Sequence, residues 1–260
     1  MLILLPPSEG KAAPRRGRPL DLASLSFPVL HQARAEVLHA LTSLCAEAPA
    51  DAVGVLGLGP TQADEVARNA ALSIAPAARA DRVYTGVLYE ALDVGSLDTA
   101  AKRRATARLA IVSGLFGLLR PSDHVPAYRL SGQVSLPAVG PVARLWGRHL
   151  DPAVAEAAGD GLVVDLRSTA YTPFWRPARA VAERTVTLRV LHEVDGRRKV
   201  VSHFNKATKG RIVRDLLTDG AAPRRPGQLA DLLADLGWKV DAPASAPGRP
   251  ATLDVVVSEL

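Results

Sequence analysis

The chain has 260 residues, 48% of them hydrophobic and 22% charged. That balance is ordinary for a globular α/β protein of one large or two small domains, and it excludes a disordered or collagen-like chain. The 32 basic and 26 acidic residues leave a net charge of +6, which permits a polyanionic partner, while only 4% aromatic residues argue against a surface that stacks many bases.

The chain opens on an apolar run, Leu2–Leu5, that reads as a short buried strand. The run stops at Pro6, too short for the core of a signal peptide or a membrane helix. A polar, proline-rich loop follows to Pro19. Phe27–Glu47 has helical periodicity, with Pro28 suited to a first turn. Gly57-Leu58-Gly59-Pro60 then breaks the chain, and Thr61 with Asp64 three residues on predicts the cap of a second helix. Arg82–Leu88 reads as a strand entering a turn, and Asp98–Ala107 as a basic surface helix. Leu109–Val112 reads as a buried strand, Gly117–Ser131 as loop-rich, Val142–Ala158 as helix and Leu162–Leu166 as strand. Thr185–Val194 and Arg198–Phe204 flank Asp195-Gly196, the strongest hairpin signal in the chain. Two helices, Lys206–Leu217 and Gly227–Leu236, precede a last strand, Thr252–Val257. Helices and strands interleave, and a hairpin requires antiparallel pairing. The expectation is a single compact α/β domain over residues 1–260, with a mixed β-sheet flanked by helices.

Three features carry chemistry. The first is Leu56-Gly57-Leu58-Gly59-Pro60-Thr61-Gln62-Ala63, which matches the core of a helix-hairpin-helix element at about residues 50–75. Glycines there permit positive φ, and free N–H groups opening the next helix can hold a phosphate oxygen. Gly57, Gly59 and Arg68 are the candidate contacts to a DNA backbone. A tight helix–helix turn is the alternative, and Asp51, Asp64 and Glu65 place negative charge nearby.

The second is a basic stretch, residues 197–225, in which only Asp215 and Asp219 oppose nine bases. On a helix, Lys206 and Lys209 fall at the edge of the stripe of Ile212, Val213, Leu216 and Leu217, and Arg211 and Arg214 look outward as further DNA-binding candidates. A solvated basic helix is the plain alternative.

The third is a set of polar groups at strand ends. Ligands of α/β sheets sit beyond the carboxyl ends of strands. Lys11, Arg120, Arg129, Arg167, Lys206 and Lys209 are the candidate anion-binding residues there, and Ser113, Asp123, Tyr128 and Asp165 the candidate catalytic groups. Loop turns and structural ion pairs are the alternative. The six histidines and the single cysteine, Cys45, form no metal-ligand spacing, so neither a metal nor another cofactor is expected. One cysteine also rules out an internal disulfide and suits a reducing compartment.

The stretches MLILLPPSEGK (1–11), VYTGVLYEAL (83–92), SGLFGLLRPSDHVPAYRL (113–130), LWG (145–147), VVDLRSTAY (163–171) and SHFNKATKGRIVR (202–214) resemble the YaaA family, named for a bacterial peroxide-stress protein. The resemblance implies a cytoplasmic protein with a compact mixed-sheet fold, a helix-hairpin-helix-like element, a positively charged cleft, DNA binding and protection from hydrogen peroxide. Pro7-Ser8-Glu9-Gly10-Lys11, Asp165-Leu166-Arg167-Ser168 and Lys206-Ala207-Thr208-Lys209-Gly210 depart from the stretches of that protein. The reading expected is therefore a protein that binds the phosphate backbone of double-stranded DNA and protects against hydrogen peroxide, the alternative being an enzyme that acts on a phosphorylated or nucleotide-like small molecule with the strand-end groups, and no membrane partner.

Overall fold

A computed structural model describes residues 1–194, 197–199, 202–243 and 246–258. The first half runs β1 (Leu2–Leu5), α1 (His31–Glu47), α2 (Pro49–Val55), α3 (Asp64–Ala70), β2 (Ala78–Arg79), α4 (Ala80–Val83), α5 (Val87–Leu92), α6 (Thr99–Arg108), β3 (Leu109–Ser113), β4 (Gly117–Leu119) and β5 (His124–Val125). The second runs β6 (Ser135–Leu136), β7 (Gly140–Pro141), α7 (Val142–Ala158), β8 (Val163–Asp165), α8 (Arg179–Ala182), β9 (Thr185–Val194), β10 (Arg197–Lys199), α9 (Ser202–Asp219), α10 (Pro226–Asp235), β11 (Lys239–Asp241) and β12 (Ala251–Val257).

One sheet of order β11-β12-β9-β8-β1-β3-β4 organises the chain, with β10 on β9. Its centre is parallel: β1 pairs with β3 and β8, and β9 with β8 and β12. Its edges are antiparallel, β4 on β3 and β11 on β12. β1 is apolar and buried throughout, as a central strand covered on both faces must be. Helices supply the cover. In α7, Val142, Leu145, Trp146, Leu150, Ala153 and Val154 form one buried face, and the Trp146 Nε1–H donates to the Gly114 carbonyl at 2.7 Å, which gives its polar atom a partner in the core.

The fold expected from sequence is borne out as a mixed, mostly parallel α/β sheet flanked by helices, and α7 has the bounds its periodicity predicts. Three expectations are corrected. Residues 82–88 form no strand: they end α4 and open α5. The strand expected over 198–204 is described as β10 at Arg197–Lys199, and residues 202–204 belong to α9. β9 and β10 do pair antiparallel, whereas the predicted Asp195-Gly196 turn lies outside the described residues. Thr61 is not a cap, because a short 3-10 turn, Pro60–Gln62, precedes α3, and the Gln62 side chain bonds the Gly59 N–H. Among the described residues no helix is long and apolar enough to cross a membrane.

α9 lies across α5 at Gly210. A Cβ there would stand 2.3 Å from the Leu88 carbonyl oxygen and 2.8 Å from the Ala91 Cβ, so only glycine admits this approach. The crossing fixes where the lysines of α9 stand relative to the strand ends.

Candidate active site at the strand ends

The chain leaves β1 toward β3 on one side of the sheet and leaves β8 toward β9 on the other. The carboxyl ends of β1 and β8 therefore flank a topological switch point, where open α/β sheets hold ligands. Three groups of residues meet at this end of the parallel core: the loop from Pro6 to Lys11 after β1, Ser113 at the end of β3, and Asp165 at the end of β8.

Ser113 heads a chain of buried hydroxyls. Its Oγ lies 2.7 Å from the Tyr128 hydroxyl, which lies 2.9 Å from that of Tyr84. The Phe116 N–H donates to Ser113 Oγ at 2.9 Å and orients it. Burial pushes the Tyr84 and Tyr128 phenols above the ordinary tyrosine range, so both stay neutral and able to donate.

Lys11 closes over this chain. Its ammonium donates to the Ser8 carbonyl at 2.9 Å and stands 4.3 Å from the centroid of the Tyr128 ring and 5.5 Å from that of Tyr84. The cation faces π-systems. Burial pulls its pKa down to about 8, with Glu9 acting in the other direction. The loop that carries it is stitched down: Ser8 Oγ accepts from the Thr85 N–H at 3.0 Å, and the Tyr89 hydroxyl donates to the Pro6 carbonyl at 2.7 Å.

Arg129 acts on Lys11 electrostatically, and other groups with unspent capacity lie on α9. Arg129 pairs with the exposed Glu9 at 2.9 Å, and its backbone is clamped from both sides by Asn69, at 2.9 and 2.8 Å. Among the described residues, the buried Arg129 Nε finds no acceptor and the buried Asn205 Oδ1 on α9 finds no donor. Native buried polar atoms are seldom left this way. One turn after Asn205, Lys209 is pulled below the ordinary lysine range by burial, with Asp165 near enough to oppose the shift.

The structure thus brings together Lys11, Ser113 and Tyr128, with Arg129 at the rim and Lys209 within electrostatic reach of Asp165. Other candidates are committed elsewhere. Asp165 and Arg167 form a buried bidentate pair at 2.7 and 2.8 Å, and Arg167 also donates to the Tyr171 and Trp175 carbonyls. This arginine ties down the segment after β8. Arg120 donates to the carbonyls of Ala107 and Leu109, at the opposite end of β3 from Ser113. Asp123 accepts from the backbone and side chain of Ser26 and from the Arg120 N–H, which organises the 120–123 turn. Lys206 is exposed, not at a buried edge.

The glycine hairpin is likewise spent in part. Gly57 has φ 62° and open space where a Cβ would be, but the Gly59 N–H is bonded by Gln62 at 3.0 Å and Arg68 pairs with Glu65 at 2.6 Å. Arg214 donates to the Leu92 and Asp93 carbonyls and so caps α5. Arg211 is exposed. The two arginines sit on the helix that packs on α5 and α6, while α2 and α3 pack on α1.

Tyr89, Asn69, Asn205 and Arg34 stand outside the residues expected from the sequence. Arg34 is wholly buried, donates to the Phe116 and Leu118 carbonyls at 3.0 and 2.7 Å, and has its pKa lowered by burial to about 10. The signal was present: Arg34 falls four residues after Leu30 and three before Val37, on the apolar stripe of α1.

Among known proteins, the family described as "Peroxide stress protein YaaA" matches residues 1–244. The chain belongs to the YaaA family. A UPF0246 protein of Streptomyces coelicolor is 54% identical over 261 residues, spanning 100% of both chains. UPF0246 proteins of Corynebacterium efficiens and Corynebacterium glutamicum are 42% and 38% identical, each over 99% of this chain and 100% of their own. YaaA membership agrees with the sequence blocks above, three of which supply Lys11, Tyr84, Ser113 and Tyr128.

Proposed function

We propose that this YaaA-family protein serves the peroxide-stress response as an enzyme acting on a phosphorylated or nucleotide-like small molecule at the strand-end site. The observation that carries this reading is Lys11: a half-buried lysine with its pKa near 8, laid against neutral phenols that run to Ser113. A lysine so placed is half neutral near pH 8 and serves as a base or nucleophile. Arg129 and Lys209 supply charge for the anion, and the unsatisfied Arg129 Nε and Asn205 Oδ1 supply a donor and an acceptor. Tyr128 and Ser113 move or hold a proton beside the reacting atoms. Peroxide chemistry at Cys45 is disfavoured, since that thiol is buried and its pKa is raised by burial.

Thermal shifts across a panel of nucleotides and sugar phosphates test the reading. A ligand that stabilises the wild type and not a Lys11→Met variant supports it. A flat panel, or identical shifts in the variant, removes it.

A second reading, sequence-independent binding of the duplex backbone that shields DNA from hydrogen peroxide, draws on the open, left-handed turn at Gly57 and the exposed Arg211. It predicts affinity that falls steeply with salt. Equal affinity in a Gly57→Val, Gly59→Val double variant would count against it.

A further inference from the structure

Away from the strand ends, a cleft of about 540 Å³ opens between α4, the turn at Val94-Gly95 and the outer face of α6. Its walls carry Arg79, Arg82, Lys102 and Arg103 against one carboxylate, Asp81. That carboxylate is already spent, because Arg79 holds it bidentately at 2.5 and 3.1 Å. Arg82, Lys102 and Arg103 are exposed, and among the described residues their side chains make no hydrogen bond or ion pair. Asp98 is occupied as the α6 cap, accepting from the Ala101 N–H at 2.7 Å. Asp93, which feels Lys102 weakly, is held chiefly by Ser96 and does not line the cleft.

The arrangement follows from helix periodicity. Ala101 and Ala105 turn α6 onto the core, which leaves Lys102, Arg103 and Thr106 on the face toward the cleft. Arg82 reaches in from α4, across from them. Like charges gathered in one concavity repel, and an anion between them relieves that cost.

We propose that this cleft binds a compact oligophosphate, a di- or triphosphate group presented free or on a nucleotide. One phosphate occupies a small part of such a volume, and three uncommitted cations on two walls suit a chain of phosphates. The concave shape, within the range of small-molecule pockets, favours this ligand over the convex backbone of a duplex. The proposal stands apart from the strand-end reading, since it shares no residue with it.

Calorimetric titration of the full chain tests it, with tripolyphosphate and ATP as the two probes at low salt. We expect saturable binding that weakens as salt is raised. A Lys102→Gln, Arg103→Gln double variant and, separately, Arg82→Gln should each weaken tripolyphosphate about tenfold or more. A Lys102→Arg, Arg103→Lys swap should retain binding. Equal affinity for the two probes assigns recognition to the phosphates alone; tighter ATP adds the nucleoside. No binding by the wild type overturns the proposal, as does binding insensitive to the charge-removing variants. So does a short DNA duplex that displaces tripolyphosphate and is weakened by the same variants, since the surface would then read nucleic acid.

Discussion

The Lys11 ammonium stands 4.3 Å from the centroid of the Tyr128 ring, while the Tyr128 hydroxyl joins Ser113 to Tyr84. One side chain therefore presents its face to a cation and its edge to two hydroxyls. The ring shields the lysine from water, which lowers its pKa, and the cation is drawn to the electron-rich face. A reactive amine and a proton path are built by the same residue.

Lys11 gives stability a defined pH dependence. Below about pH 8 the amine is charged in both folded and unfolded chains, and the fold bears the cost of burying that charge. Between about 8 and the ordinary value of 10.5 the unfolded chain keeps a proton the folded chain has shed, so stability rises with pH. The gain has an upper bound of roughly 3 kcal/mol at ~1.4 kcal/mol per pKa unit. Tyr84, Tyr89 and Tyr128, raised by burial, act oppositely: their contribution is lost once the pH passes the ordinary tyrosine value, near 10. Urea unfolding at pH 7.5, 8.5 and 9.5 should show the wild type gaining on Lys11→Met at each step. Parallel curves would mean that the lysine is not desolvated.

Removing the Tyr128 hydroxyl should cost more than one hydrogen bond. Tyr128→Phe strips a partner from both Ser113 and Tyr84 in a buried setting, and each stranded hydroxyl carries a desolvation penalty of ~1–3 kcal/mol. Adding Tyr84→Phe removes one stranded group. The double variant should therefore be less destabilised than the sum of the single changes, with a coupling of ~0.5–3 kcal/mol in a double-mutant cycle by chemical denaturation. Strict additivity would show that the hydroxyls are not linked.

Asp165→Asn tests the buried pair after β8. Its side chain is 8% exposed and that of Arg167 2%, so the change leaves a buried guanidinium without its counter-charge, at a cost of ~3–5 kcal/mol. Arg167 also holds the Tyr171 and Trp175 carbonyls. The loss should appear as early unfolding of residues 166–175, read by hydrogen exchange, as well as a lower melting temperature. A neutral outcome would mean that those carbonyl bonds suffice.

Periodicity made legible what periodicity governs. The α7 stripe from Val142 to Val154 and the apolar runs of β1, β3 and β8 all stand where the pattern placed them. Residues 82–88 misled because Val83, Val87 and Leu88 are apolar at spacings that a short strand shares with two short helices. Part of the candidate site is also legible: the strand ends point to Lys11, Ser113, Tyr128 and Arg129. They point equally to Asp123, Arg120 and Arg167, which serve as structural ties, because a residue's position after a strand does not say where its side chain turns. Asn69 and Asn205 carried no such signal, since only tertiary packing buries an amide on a helix.

Two glycines should respond in opposite degrees to alanine. Gly57→Ala places a methyl in open space and costs only the left-handed backbone, ~1–2 kcal/mol. Gly210→Ala has no backbone strain of that kind, yet its methyl meets the Leu88 carbonyl at 2.3 Å. α9 must then shift off α5, carrying Asn205 and Lys209 away from the strand ends. Thermal melting should rank Gly210→Ala well below Gly57→Ala. Any ligand found for the strand-end site should bind Gly57→Ala as it does the wild type and bind Gly210→Ala more weakly at a temperature where both variants are folded. Equal binding by the two would separate α9 from that site and leave Lys11, Ser113 and Tyr128 as its working core.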